Sequence, residues 1–323
     1  MGCTMITQNT LKRLLTRQGG FRWGDTYVPG ILAVPGEAPK ISRPCRLNSR
    51  KLGRAMHLMS VPERVFTQLA LFNPLVWDIH EQKILQVGPN VHPLFGHPLT
   101  VGMALPGVKG TLAVASRIGM THARISANLD GEITRLPYNY VGDLLLYLQA
   151  QNGQPYAINW TIKISGSDFH EKRRSEIKGL AHQKSDREKA RLRHLLEREY
   201  YADAGIRTLA LSLDDIPDMV VANLDLLYGY HDLPIDIDAS LLNDYSAELL
   251  EKSVQGIPPA LVAIEYAKRW GHRDLLLARI YQEIWCRKLL VNLNKPILVD
   301  KPLWIGGPDL LDAYVHLFEE HSA

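Results

Sequence analysis

The stretch that most constrains the fold is Tyr138–Lys163, which reads YNYVGDLLLYLQAQNGQPYAINWTIK. It suggests two strands joined by a turn. Asp143–Gln149 is an apolar run opened by a carboxylate, and Tyr156–Ile164 is rich in aromatic and β-branched residues. The Asn-Gly pair between them is a strong hairpin signal. Strand side chains alternate faces, so Ala157, Asn159, Thr161 and Lys163 share one side while Ile158, Trp160 and Ile162 take the other. A polar stripe ending in lysine therefore crosses an otherwise buried strand. Pairing back across the turn brings Asp143 near Thr161–Lys163. It shares their face only if the loop holds an odd number of residues or a bulge shifts the register. A carboxylate, an amide and a lysine on one sheet face could form a metal-dependent hydrolytic site.

The 323 residues leave room for two domains. A net charge of +3 is compatible with nucleic acid and does not demand it. Cys3, Cys45 and Cys286 are far apart, and without a CxxC pair they indicate neither a disulfide framework nor a zinc knuckle. A reducing cytoplasm fits best. No apolar run approaches the roughly 18 residues of a membrane span, and the N-terminus carries no signal-peptide core.

Residues 1–55 read as a basic, turn-rich N-terminal arm. Lys12, Arg13, Arg17, Arg22, Lys40, Arg43, Arg46, Arg50, Lys51 and Arg54 face only Asp25 and Glu37. Such one-sided charge suits a phosphate surface; the plainer reading is a solvated leader. Ser60-Val61-Pro62-Glu63 then opens a helix that Asn73-Pro74 stops. Glu63 completes a capping box with Ser60, so its first reading is a cap and its second a metal-binding or water-orienting carboxylate. Val76–Gln86 reads as an edge strand with one polar side, Asp78, His80 and Gln82. Residues 87–137 are rich in Pro and Gly, with His92, His97 and His122 dispersed at no metal-site spacing. Short strands are expected at Thr111–Ser116 and His122–Ala127, and Asp130-Gly131 signals a turn.

Past the hairpin, Asp168–Arg198 is strongly basic and suggests an amphipathic helix, solvated by default and DNA-facing as the alternative. Gly205 ends it. Ile206–Leu213 follows as a strand and Ile216–Tyr228 as a helix. The order implies an α/β layer with a mixed sheet over residues 56–232. In 233–323, helices are expected at Ala239–Ser253, Pro258–Trp270 and Arg273–Leu289. Short strands at Leu290–Leu293 and Pro296–Val299 would give that region a winged-helix-like outline.

Glu63 at a helix start, Asp143 opening one strand, and Asn159 with Lys163 on the next follow the layout of restriction-type nucleases. Magnesium prefers hard oxygen ligands and keeps several waters. Two carboxylates can hold it against a scissile phosphate, where it acidifies a bound water. A lysine can position the nucleophile and offset phosphate charge.

The surrounding residues add a resemblance. Ser49-Arg50-Lys51-Leu52-Gly53-Arg54, His57-Leu58-Met59-Ser60, Glu63 and Asp78-Ile79-His80-Glu81-Gln82 are similar to the N-terminal half of the TnsA family, the endonuclease subunits of heteromeric cut-and-paste transposases. Gly142-Asp143 and Tyr156–Thr161 resemble its two active-site strands, and Glu197 with Tyr200-Tyr201 and Ile206 its exit from the core. The similarity spans roughly residues 25–230. It implies a restriction-endonuclease-like fold that uses Mg²⁺, or Mn²⁺, to cut the 5′ strands of double-stranded DNA at transposon ends. It also implies an integrase-type transposase partner and an AAA+ ATPase regulator contacted by the C-terminal domain. Glu63 and Asp143 match the acidic positions and Asn159 the third metal-ligand position. The expected lysine position holds Thr161, so the catalytic lysine falls to Lys163 on the same face. Two alternatives stand beside this reading: a non-catalytic bridging subunit with a decayed site, and a stand-alone restriction or repair nuclease.

Overall fold

The computed structural model describes residues 5–38, 43–129, 131–170 and 179–320. Asp130 and residues 171–178 of the basic segment lie outside them. By its internal contacts the chain divides into two units. One holds Met1–Thr67, Pro74–Asp215 and Phe318–Ala323, and the other Gln68–Asn73 and Ile216–Leu317.

The first unit opens with β1 (Met5–Thr7), α1 (Gln8–Gln18) and the hairpin β2 (Cys45–Ser49) and β3 (Arg54–Leu58). Helix α2 (Val61–Phe72), whose last residues count with the other unit, leads to β4 (Val76–Glu81). The short α3 (Thr111–Arg117) precedes a second hairpin, β5 (Arg124–Leu129) and β6 (Glu132–Pro137). The central hairpin β7 (Leu144–Gln149) and β8 (Pro155–Lys163) follows, then α4 (Leu180–Ala202) and β9 (Arg207–Ser212). The main sheet runs β4-β7-β8-β9. β7 is antiparallel to β4 and β8, and β9 is parallel to β8. The architecture is mixed α/β, with helices against the sheet.

Register in the central hairpin decides where the stripe points. Gln149 pairs with Pro155 and Leu145 with Asn159. The loop is therefore residues 150–154, an odd number, and the ladder continues to Asp143 opposite Thr161. On one face Leu144, Leu146, Ile158, Trp160 and Ile162 are buried, and Phe66 of α2 meets Trp160 edge-on at 6.0 Å. On the other, Leu145, Tyr147 and Ala157 join Leu196, Tyr200 and Tyr201 of α4 in one apolar cluster. Burial of such side chains contributes roughly 1.5–3 kcal/mol each. A one-residue slip would expose both sets to the wrong neighbours, so the register is fixed. Helix α4 ends at Gly205, whose φ of 71° lets the Ile206 N–H return to the Tyr201 carbonyl at 3.0 Å.

Several sequence expectations need correction. Thr111–Ser116 is helical, not extended: Thr111, Val114 and Ala115 are its buried residues, a spacing of three and four rather than two. The described residues among 5–58 are no loose arm. They carry a helix and a hairpin, Tyr27 and Leu52 are buried, and Arg17 and Arg54 are held in ion pairs with Glu37 and Glu81. β4 is an edge strand, yet its polar side is covered. Tyr27 stacks on His80 at 3.8 Å, and Asp78 accepts the Gly24 N–H at 2.8 Å. The dispersed histidines are satisfied locally, as expected: His92 lies 3.1 Å from the Ala204 carbonyl and His122 3.0 Å from Thr111 Oγ1.

The second unit holds α5 (Asp218–Tyr230), α6 (Ala239–Val254), α7 (Pro259–Trp270), α8 (Arg273–Trp285) and the single-turn α9 (Leu310–Ala313). The expected hairpin over 290–299 does not form. Val291 makes one antiparallel bridge to Ile305, and Asn223 donates to the Leu293 and Lys295 carbonyls, each at 2.8 Å. Pro296 lacks the N–H a ladder would need.

Candidate active site

Glu63 caps α2 and also faces a cavity. Ser60 Oγ accepts the Glu63 N–H at 3.3 Å and donates to Glu63 Oε1 at 2.7 Å. Glu63 Oε2 accepts from the Met59 N–H at 2.9 Å and from Gln82 Nε2 at 3.0 Å. It is thus a helix cap, and it also lines a cavity of about 460 Å³ with Asp143, Thr161, Lys163, His194 and Glu197. Gln82 has a left-handed φ of 51°. That is a costly conformation for a side-chain-bearing residue, and it places the Gln82 amide against Glu63.

Asp143 enters the cavity from the start of β7. Its Oδ2 accepts the Ile162 N–H at 2.7 Å and lies 3.6 Å from Lys163 Nζ. The ladder explains this: an acid opposite Thr161 meets the backbone and side chain of the next two residues. Lys163 Nζ also donates to the Ile162 carbonyl at 3.0 Å. Burial and the neighbouring Asp143 push the Glu63 carboxyl up to about 7. The Asp143 charge makes Glu63 harder to ionise, a strain that a bound cation would relieve.

Asn159 is brought close but turned elsewhere. It is fully buried and does not line the cavity. Its Nδ2 donates to Glu197 Oε1 at 3.0 Å and to Thr208 Oγ1 at 3.4 Å, and its Oδ1 has no partner. Thr161 Oγ1 donates to the same Glu197 oxygen at 3.1 Å. Arg193 clasps Glu197 Oε2 at 2.9 Å and the Val141 carbonyl at 2.8 Å. Besides Glu63, Asp143 and Asp168, a further carboxylate, Glu197, thus reaches the cavity from α4. His194, on the same helix, is held down at about 4 by burial, then by Lys163 and Arg193, so its imidazole is neutral at pH 7.

The donor set suits a divalent cation in part. Glu63 and Asp143 offer hard oxygens at an open cavity, whereas the Asn159 amide faces Glu197. Among the described residues no group of three Asp, Glu, His or Cys side chains forms a ready-made metal cage. A cation here would complete its shell with water and substrate oxygens, as magnesium commonly does.

Reading the sequence singled out Glu63, Asp143, Asn159 and Lys163, and it missed the chemical part of Arg193, His194 and Glu197. Helical spacing puts 193 and 197 on one face without saying what that face meets, and the resemblance placed Glu197 only at the exit from the core. No model of a known protein family matches this chain, and no curated protein matches it in sequence.

Proposed function

We propose that this chain is a metal-dependent DNA endonuclease, the nuclease subunit of a heteromeric transposase that cuts the 5′ strands at transposon ends. The observation that carries the reading is the meeting of Glu63, Asp143 and Lys163 in one cavity, with Lys163 Nζ 3.6 Å from Asp143 Oδ2. The mixed β4-β7-β8-β9 sheet with helices on it supports a restriction-endonuclease-like fold. In this reading Glu63 and Asp143 would hold Mg²⁺ or Mn²⁺, which would supply Lewis acidity at the scissile phosphate. Lys163 neutralises charge building on the phosphoryl oxygens. Water gives up a proton as it forms the new P–O bond, the bond to one sugar oxygen breaks, and that oxygen takes up a proton from solvent, so one water is consumed and no net proton is released in the step. Glu197 and Arg193 tie α4 to β8 and to the Val141 carbonyl beside the cavity. An integrase-type transposase and an AAA+ ATPase regulator are the proposed partners, the latter for the second unit, whose winged-helix-like reading rests on its helices alone.

The test is nicking of transposon-end DNA by the full chain with Mg²⁺ and its partner transposase. Wild type should nick and Asp143→Ala should not; full activity in Asp143→Ala would remove the site assignment. A second reading, a bridging subunit with a decayed site, is favoured by one feature: the Asn159 amide is engaged by Glu197 and turned from the cavity. Titration with Mn²⁺ separates the two, because a decayed site binds none at Glu63 and Asp143.

A further inference from the structure

We propose that Gln82 is a positioning residue for the candidate active site. It holds Glu63 through its side chain and Asp143 through its backbone, and it thereby sets the affinity of that pair for a divalent cation. This role rests on the reading of Glu63 and Asp143 as cation ligands.

The two carboxylates come from separate elements, the start of α2 and the start of β7. Like charges repel, so their placement has to be held by neighbouring groups. Gln82 reaches both. In the β4–β7 ladder His80 pairs with Leu145 and Glu81 with Leu144, and the same register sets Gln82 opposite Asp143. The Gln82 N–H donates to the Asp143 carbonyl at 3.0 Å, and Gln82 Nε2 donates to Glu63 Oε2 at 3.0 Å. The Gln82 carbonyl accepts the Gly30 N–H, also at 3.0 Å. That approach suits a glycine, because a Cβ at position 30 would lie 3.0 Å from the same carbonyl oxygen and 2.8 Å from Ile84 Cγ1. Gln82 is thus fixed by its N–H, its carbonyl and its amide, and it is 4% exposed.

Its backbone takes a left-handed φ of 51°. That region is costly for a residue with a long side chain and open to glycine. A turn at the end of β4 that needed only the backbone would form with less strain around glycine. Strain of this kind is kept where a side chain must be aimed, and here the side chain is aimed at a carboxylate oxygen.

An amide also suits the task chemically. An ammonium or guanidinium in its place would neutralise Glu63 and oppose a cation, and a carboxylate would add repulsion. An uncharged donor orients Glu63 and leaves its charge for the metal. Gln82 does not line the cavity. It acts through Glu63 and Asp143, as hydrogen-bond partners of metal ligands do.

The test is the Mn²⁺ affinity of the full chain, measured by calorimetry well below the melting temperature of each variant. Under those conditions a residue that only completes a turn leaves the affinity unchanged. Gln82→Met removes the donor and keeps the bulk. Gln82→Gly keeps the left-handed turn and the backbone N–H and removes the side chain. Both should bind Mn²⁺ about tenfold or more weakly than wild type. In nicking with the partner transposase, the Mn²⁺ concentration for half-maximal rate should rise by the same factor. Thermal melting shows which variants are folded, and Asp143→Ala is the reference for a lost ligand. If wild type binds no Mn²⁺, or Asp143→Ala binds it as well as wild type, the cation reading of the pair falls and the role of Gln82 falls with it. If Asp143→Ala loses binding while folded Gln82→Met or Gln82→Gly matches wild type, the pair stands and the role of Gln82 alone is overturned.

Discussion

Asn159 donates its side-chain N–H to Glu197 Oε1 at 3.0 Å, joining β8 to α4 behind the candidate active site. Glu197 also accepts from Thr161 and Arg193, and it is only 2% exposed. Truncating it would strand three donors, one of them a guanidinium. Breaking a buried charged pair from one side costs about 3–5 kcal/mol, and Arg193 is partly open to solvent, which lowers that figure. Glu197→Ala should therefore lose on the order of 2–3 kcal/mol in urea denaturation. Glu197→Gln keeps an acceptor for Asn159 and Thr161 and should lose less. A Glu197→Ala chain as stable as wild type would mean that this carboxylate organises nothing.

The raised pKa of Glu63 gives a pH signature. Its carboxyl goes from an ordinary 4.5 to about 7, through burial and Asp143. The folded state thus holds this proton more tightly than the unfolded one. The resulting stability is fully present below 4.5 and is lost as pH rises through about 7. Each unit is worth about 1.4 kcal/mol, so the loss is on the order of 3 kcal/mol. In metal-free buffer, denaturation across this range should show wild type losing stability relative to Glu63→Gln by about that amount. Mn²⁺ should have the opposite slope, binding more tightly as pH rises through about 7 because the proton must leave. Metal binding that is level across this range would exclude Glu63 as a ligand.

In the proposed nuclease, Lys163 rather than Thr161 takes the lysine role. Lys163 Nζ stands 3.6 Å from Asp143 Oδ2, whereas the Thr161 hydroxyl is spent on Glu197. Lys163→Met should reduce nicking by about 10²-fold or more while end-DNA binding changes little. Thr161→Val should cost about 1 kcal/mol of stability and leave most nicking in place. The reverse order of effects would move the catalytic charge away from Lys163.

What the sequence made legible is what local periodicity controls. Alternation over Ala157–Lys163 and the Asn-Gly turn gave the hairpin, and the odd loop that the stripe required is found at 150–154. The capping box at Ser60 was legible for the same reason. Contacts that depend on a distant partner were not. Glu197 lies 38 residues from the asparagine it binds, and only the packing of α4 on the sheet joins them. Thr111–Arg117 is short enough that period two and period 3.6 both fit it, and Gly110, with φ 90°, turns the chain into the helix. Counting arginines made residues 1–55 look like a DNA arm, because charge alone does not tell a solvated guanidinium from a buried one.

Arg54 makes that distinction measurable. Its two terminal nitrogens reach Glu81 at 2.7 and 2.8 Å, one also bonds the Ile79 carbonyl, and the group lies 4.8 Å from the Tyr27 ring. Its side chain is 6% exposed and that of Glu81 is 0%. The His57 N–H donates to Glu81 as well, at 3.0 Å, so the pair ties β3 to β4. Arg54→Ala leaves Glu81 as an uncompensated buried charge and should cost about 3–5 kcal/mol. DNA affinity per folded molecule should hardly change. Arg46 and Arg50 are exposed. Replacing either with Ala should leave stability within about 0.5 kcal/mol. If these two meet phosphates, each substitution should flatten the log–log salt dependence of DNA binding by about one. Urea midpoints and DNA titrations at several salt concentrations, run on the same three variants, check both halves. A stable Arg54→Ala chain with a flattened salt slope would put Arg54 on the DNA surface instead of in the core.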